Sequence, residues 1–128
     1  MTTAGPKQKQ ILLVDDSTLV LDMMRAAFTE AGYAVVTAEN LRELDRHRVT
    51  TRPDLVLMDV QMPEAFGDDV AMVLRAAREI EAPIYLLSTM DEAELRRRAA
   101  DAEIDGYIRK QIGVESIVQR VRQILGDA

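Results

Sequence analysis

The chain has 128 residues, 48% of them hydrophobic, with no cysteine and a formal net charge of -6. This length and composition predict one globular domain whose core needs neither a disulfide framework nor a thiolate metal site. The acidic balance argues against a nucleic-acid-binding face, and the longest apolar runs, four or five residues, are too short to cross a membrane. We therefore expect a soluble cytoplasmic protein.

Apolar runs of strand length alternate along the chain with longer stretches of helical periodicity. This alternation is typical of repeated βα units on a parallel sheet. Three of the runs are apolar throughout, as expected for strands that helices cover on both faces. The predicted strands are residues 11–14, 34–37, 55–58, 84–87 and 107–109. The fold class is therefore α/β, with five βα units and a doubly wound sheet.

Five predicted helices complete the count. Ser17 is the expected N-cap of the first helix, which ends at Gly32, and Asp91 with Glu94 form a capping box for the fourth. The first helix has its expected apolar face at Val20, Met23, Met24, Ala27 and Ala31. The second and third helices lie near residues 41–48 and 66–78, and the last has one apolar stripe at Val114, Ile117, Val118, Val121, Ile124 and Leu125.

The first nine residues differ in composition from the rest of the chain. Residues 1–9 contain a Gly-Pro pair and no apolar periodicity, and we predict that they form a disordered extension before a domain spanning residues 10–126. The methionines, including Met23, Met58 and Met72, are expected to fill the core.

Acidic residues follow two of the predicted strands directly. Asp15 and Asp16 come after the first strand, and Asp59 comes after the third. Ligands of open parallel sheets bind at the carboxyl edge, so these three carboxylates should lie close together and repel unless a cation neutralises them. Mg2+ prefers such oxygen ligands. The alternative for each aspartate is a loop residue that caps a helix.

Two further polar groups are expected at the same edge. The fourth strand ends in Ser88 and Thr89, and the fifth ends in Lys110, the only lysine after residue 9. A carboxylate can act as the nucleophile in phosphoryl transfer, and a metal, an ammonium and a hydroxyl around it supply positioning and charge neutralisation. A turn-forming serine and an unrelated lysine are the alternatives.

The spaced motifs resemble the response regulator receiver domain over residues 10–125, and most closely its single-domain chemotaxis type. The motifs are ILLVDD ending at Asp16, PDLVLMDVQMP around Asp59 with Gly67 after it, PIYLLS ending at Ser88, and DGYIRK ending at Lys110. The resemblance implies a flavodoxin-like fold with strand order 2-1-3-4-5. It also implies a role in two-component signalling.

The resemblance implies a role for each motif residue. Asp59 would be the phosphoacceptor, and Ser88 and Lys110 would contact its phosphoryl group. Asp15 and Asp16 would hold Mg2+ or Mn2+ together with Asp59 and the backbone carbonyl of Gln61. The donor would be a phosphohistidine of a sensor histidine kinase or a phosphotransfer protein.

The resemblance further implies a conformational switch. Phosphorylation would draw Ser88 and Lys110 inward, and Tyr107 would change rotamer. This would remodel the surface of the fourth helix, fifth strand and fifth helix for a downstream protein effector. Simple packing is the alternative for Tyr107. We expect no nucleic-acid or membrane partner. The protein is expected to be a monomer, and a weak dimer is the alternative. We expect no separate output module among these residues.

One departure from the family pattern lies beside Lys110. Gln111 occupies a position where the family usually has proline, often after a cis bond. A cis bond before a residue other than proline costs about 3 to 4 kcal/mol, so we expect a trans bond here. Thr89 also stands where a smaller residue is usual.

Two other functions remain open from the sequence. One is an interaction module that keeps the receiver fold and works without phosphorylation, which Gln111 and Thr89 motivate. The other is a Mg2+-dependent phosphohydrolase that acts on external substrates through Asp59. This second alternative lacks a further strand-end acid to activate water. We therefore expect a signalling protein that phosphorylates and slowly dephosphorylates itself rather than an enzyme.

Overall fold

The predicted hydrophobic runs form five strands of one parallel sheet. The computed structural model describes residues 8–127, and its strands are β1 (Gln10–Val14), β2 (Ala34–Ala38), β3 (Leu55–Met58), β4 (Ile84–Ser88) and β5 (Gly106–Arg109). Their order is β2-β1-β3-β4-β5, with every neighbouring pair parallel. The expected strand order is confirmed, and the carboxyl ends of β1 and β3 lie side by side.

A helix follows each strand. The helices are α1 (Thr18–Glu30), α2 (Leu41–Thr50), α3 (Gly67–Ala76), α4 (Glu92–Asp101) and α5 (Val114–Ile124), and a 3-10 turn at Lys110–Ile112 precedes α5. Ser17 caps α1 as predicted, since its hydroxyl accepts the Val20 N–H at 3.2 Å.

The capping box predicted for α4 forms only in part. The Asp91 carboxylate accepts the Ala93 N–H at 3.2 Å. Glu94 instead pairs with Arg98, one turn further along the helix, at 3.2 Å. A carboxylate one turn before an arginine has a strong competing partner, and this pairing replaces the expected return bond to the cap.

The helices cover both faces of the sheet. One face packs on α1 and α5 through Phe28, Ile117 and Val121. The other packs on α2 and α3 through Leu44 and Leu74, and on α4 through Leu95. The central strands β1 and β3 are therefore buried along almost their whole length, whereas the edge strands β2 and β5 are only partly buried.

The predicted apolar face of α1 was wrong at Met23 and missed Leu21 and Phe28. Met24 is buried, and Val20 and Ala31 pack against the core, as predicted. Met23 is instead 47% exposed, whereas Leu21 and Phe28 are buried. Met72 is also exposed, so the prediction that the methionines fill the core holds for Met58 and fails for Met23 and Met72.

The two ends of the described chain meet at the amino edge of the sheet. Lys9, just before β1, donates from Nζ to the Leu125 carbonyl at 2.6 Å and pairs with Asp127 at 2.8 Å. The Tyr33 hydroxyl also donates to Asp127, at 2.8 Å. The predicted extension thus includes a residue that contacts the fold, while its residues 1–7 lie outside the described part.

Within residues 8–127, each helix is too short or too polar to span a bilayer.

Candidate functional site

Three aspartates gather at the carboxyl edge of the two central strands. Asp15 and Asp16 leave the end of β1, and Asp59 leaves the end of β3, where its N–H donates to the Val14 carbonyl at 2.8 Å. One carboxylate oxygen from each lies within 4.8 Å of the other two. These hard oxygen donors suit Mg2+ in type and number.

Asp59 and Asp15 are the two buried acids of this cluster, and Asp16 is exposed. The side chain of Asp59 is 9% exposed, and burial raises its pKa to about 6. The nearby Lys110 ammonium opposes this pKa rise, while the negative charges of Asp15 and Asp16 add to it. A carboxylate with this raised pKa is largely ionised at neutral pH and more basic than an exposed aspartate, which favours nucleophilic attack.

The ammonium of Lys110 lies between two of these carboxylates. Its Nζ donates to Asp15 Oδ2 at 2.7 Å and lies 3.7 Å from Asp59 Oδ1. The second oxygen of Asp15 accepts the Ser17 N–H at 2.9 Å. Lys110 and Asp15, which lie 95 positions apart in the sequence, are thus neighbours, because parallel strands bring their carboxyl ends to one edge of the sheet.

Ser88 ends β4 at the same edge. It is 1% exposed, and its hydroxyl oxygen accepts the Met90 N–H at 3.2 Å. The last residue pair between β4 and β5 joins Ser88 to Arg109, directly before Lys110. The Ser88 hydroxyl and the Lys110 ammonium, which we predicted to act together, therefore lie at the carboxyl ends of adjacent strands.

Tyr107 lies further from the acidic cluster, within β5. Its ring packs against the hydrophobic cluster of Leu86, Leu95 and Ala99. Its hydroxyl donates to Glu92 of α4 at 3.3 Å. The residue is half-buried, so it contacts both the core and the surface.

The turn after Asp59 requires a glycine. The Gly67 N–H donates to the Val60 carbonyl at 2.8 Å, and Gln61 pairs with Phe66 across the turn. A Cβ on Gly67 would lie 1.8 Å from the Asp59 carbonyl oxygen. The motif glycine allows this close approach, and Gln61 lies on the exposed side of the same turn.

Two contacts near the site were not predicted from the sequence. Arg98 donates to both carboxylate oxygens of Asp68 at 3.2 Å and stacks 5.0 Å from the Phe66 ring centre. Gln111 donates from Nε2 to the Thr89 carbonyl at 2.6 Å. The partners are 30 and 22 positions apart, and no local sequence pattern signals either contact.

The sequence of this chain matches a known protein family. A family model described as the response regulator receiver domain matches residues 11–122. The chain is 34% identical over 116 residues to the response regulator MprA of Mycolicibacterium vanbaalenii, covering 91% of this chain and 50% of that protein. It is 30% identical over 118 residues to the phosphate regulon regulatory protein PhoB of Pseudomonas aeruginosa, covering 91% and 52%. The chain thus spans about half the length of the curated relatives it matches.

Solved structures agree with these sequence matches. The chemotaxis response regulator CheY4 of Vibrio cholerae superposes with a TM-score of 0.83 at 25% identity, covering 92% of this chain and 99% of that one. A Francisella response regulator receiver domain superposes with the same TM-score at 23% identity, covering 93% and 98%, and this supports the fold alone.

Proposed function

Since the chain belongs to the response regulator receiver family of two-component systems, we propose that it is a phosphoacceptor switch whose acceptor is Asp59. The supporting observation is a buried carboxylate of raised pKa beside two acids and an ammonium. We propose a sensor histidine kinase or a phosphotransfer protein as the donor. Signalling, rather than turnover of an external substrate, is the general role of this family.

A divalent cation is part of this proposal. The carboxylates of Asp15, Asp16 and Asp59, with the backbone carbonyl of Gln61, would hold Mg2+ or Mn2+. When bound, the ion supplies positive charge that offsets the repulsion among the acids and the phosphoryl oxygens. The existing partner of Asp15, the Lys110 ammonium, would then be free to turn toward Asp59.

The transfer step uses the residues in distinct roles. An oxygen of Asp59 attacks the phosphorus of the donor phosphohistidine and forms the acyl phosphate bond. The phosphorus–nitrogen bond breaks, and the imidazole nitrogen keeps the electron pair and takes up a proton. The Lys110 ammonium and the Ser88 hydroxyl donate to the phosphoryl oxygens, which stabilises the charge on the transferred group.

Phosphorylation would then change the α4-β5-α5 surface, and we propose this surface as the effector site. The Ser88 hydroxyl would exchange its contact with the Met90 N–H for the phosphoryl group, which moves the start of the loop before α4. Tyr107 contacts α4 through Glu92, so its rotamer can follow that movement. The surface includes a cleft of about 490 Å3 that contains Tyr107 and Arg109.

Mass spectrometry tests the acceptor directly. The protein is incubated with MgCl2 and acetyl phosphate, and intact mass is measured for the wild type, Asp59→Asn and the exposed control Asp22→Asn. The wild type and the control should each gain one hydroxylamine-sensitive phosphoryl group, and Asp59→Asn should gain none. An unmodified wild type, or equal labelling of Asp59→Asn, would contradict the proposal.

An interaction module that works without phosphorylation is the second candidate. The departures from the family pattern at Gln111 and Thr89 motivate it, because these residues directly follow Lys110 and Ser88 of the proposed phosphoryl site. In that case Asp59→Asn should bind the effector as tightly as the phosphorylated wild type does.

A further inference from the structure

The contact between Gln111 and Thr89 joins two turns at the carboxyl edge of the sheet. Gln111 lies in the 3-10 turn after β5, and Thr89 follows the last residue of β4. The side-chain amide donates to the Thr89 carbonyl at 2.6 Å. All peptide bonds among the described residues are trans, as expected for the bond before Gln111. A proline here would carry no such donor.

Each of these turns carries one group of the proposed phosphoryl site. Ser88 directly precedes Thr89, and Lys110 directly precedes Gln111. The residue pairing of β4 with β5 ends at Ser88 and Arg109. The amide bond from Gln111 therefore continues the connection between the two strands past their last pair.

We propose that Gln111 is a positioning residue that holds Ser88 and Lys110 at a fixed separation before a phosphoryl group arrives. This inference rests on the proposed phosphoacceptor function. Groups that are already in place lose less conformational freedom when they bind. Gln111 touches neither the acids nor the phosphoryl group, and it acts through the backbone of Thr89.

The strength of the bond sets the upper limit of the effect, because the bond changes affinity only through how far it restrains the unbound site. A neutral hydrogen bond contributes a net of about 0.5 to 1.5 kcal/mol, so its removal should change affinity by at most roughly two- to tenfold. Both Gln111 and Thr89 are exposed to solvent, so the lower part of this range is expected.

Affinity for a phosphoryl analogue tests the proposal. We would measure the Kd of beryllium trifluoride, in MgCl2, for the wild type, Gln111→Met and the exposed α5 control Gln119→Met. Gln111→Met removes the donor at similar size and should weaken binding about two- to fivefold. Gln119→Met should leave the Kd unchanged. An unchanged Kd in Gln111→Met would overturn the proposal.

A double-mutant cycle separates positioning from a general structural effect. If Gln111 acts by positioning Ser88, then Gln111→Met should weaken binding in the wild-type background and have little effect in the Ser88→Ala background. Equal weakening in both backgrounds would overturn the positioning role.

Hydrogen exchange on the metal-free protein gives a test that is independent of phosphoryl chemistry. The Thr89 and Met90 amides should exchange faster in Gln111→Met than in the wild type or Gln119→Met, with unchanged exchange in β1 and β3. Unchanged exchange of the Thr89 and Met90 amides would overturn the positioning role of Gln111. If the wild type does not bind the analogue at all, the phosphoacceptor proposal fails, and this exchange measurement alone decides whether Gln111 joins the two turns.

Discussion

Replacing the buried acceptor with a neutral side chain should stabilise the metal-free protein. Burial and the neighbouring acids raise the pKa of Asp59 from an ordinary 3.8 to about 6, against the opposing effect of Lys110. One pH unit of difference corresponds to about 1.4 kcal/mol, so ionised Asp59 lowers the free energy of unfolding by about 3 kcal/mol. The side chain is only 9% exposed, so solvent weakens this effect little.

The effect has a defined pH dependence. The folded state binds the proton of Asp59 more tightly than the unfolded state does. The free energy of unfolding therefore decreases as pH rises from about 4 to about 6, and the full loss remains at higher pH. Asp59→Asn removes this dependence. The figure of about 3 kcal/mol already includes the attraction to Lys110, but the variant also buries an amide that needs partners. We expect a net stabilisation of about 1 to 3 kcal/mol at pH 7.5.

Urea unfolding in the presence of a chelator measures this difference. Free energies of unfolding are compared for the wild type, Asp59→Asn and the exposed control Asp22→Asn between pH 5 and pH 8. The stability advantage of Asp59→Asn over the wild type should be about 1.4 kcal/mol smaller at pH 5 than at pH 7.5. The control should differ from the wild type by less than about 0.5 kcal/mol. An advantage that does not change with pH, or a variant less stable than the wild type at pH 7.5, would refute the reasoning.

Three further outcomes are expected. At pH 7.5, Mg2+ at ten times its Kd should raise the free energy of unfolding of the wild type by about 1.4 kcal/mol. The same Mg2+ concentration should raise that of Asp16→Asn by much less. Equal gains in the two proteins would contradict the metal site. Arg98→Met leaves the buried Asp68 carboxylate without this partner and should lower the free energy of unfolding by about 1 to 3 kcal/mol. The control Arg97→Met, at an exposed position of the same helix, should change it by less than about 0.5 kcal/mol in the same urea titration. Gly67→Ala should destabilise by about 3 kcal/mol or more, because its Cβ would overlap the Asp59 carbonyl; near-native thermal unfolding would argue against that close approach.

The strands and the acidic cluster could be predicted because each depends on a simple rule. Strands covered on both faces appear as continuous apolar runs, and Leu55–Met58 has the predicted bounds. The carboxyl-edge rule then brings Asp15 and Asp59 together once the strands are adjacent. Both rules need only local sequence and the order of the elements.

Helix faces and long side-chain contacts could not be predicted in the same way. The apolar residues of α1 cover more than one side of the helix, and the burial of Phe28 and exposure of Met23 depend on the space beneath the helix. Arg98 pairs with both Glu94, one turn earlier in α4, and Asp68 of α3, and only the first of these contacts follows from helical spacing. Such choices depend on tertiary distances that no sequence spacing records.

The contact between Lys9 and Asp127 joins the two ends of the described chain. Both residues lie at the amino edge of the sheet, and β1, five residues long, separates that edge from the acidic cluster. At about 3.3 Å per residue, the separation is roughly 16 Å. The described chain therefore enters and leaves the fold at the edge of the sheet opposite Asp59, and a chemical change at Asp59 would reach Lys9 and Asp127 only through the sheet or the helices that cover it.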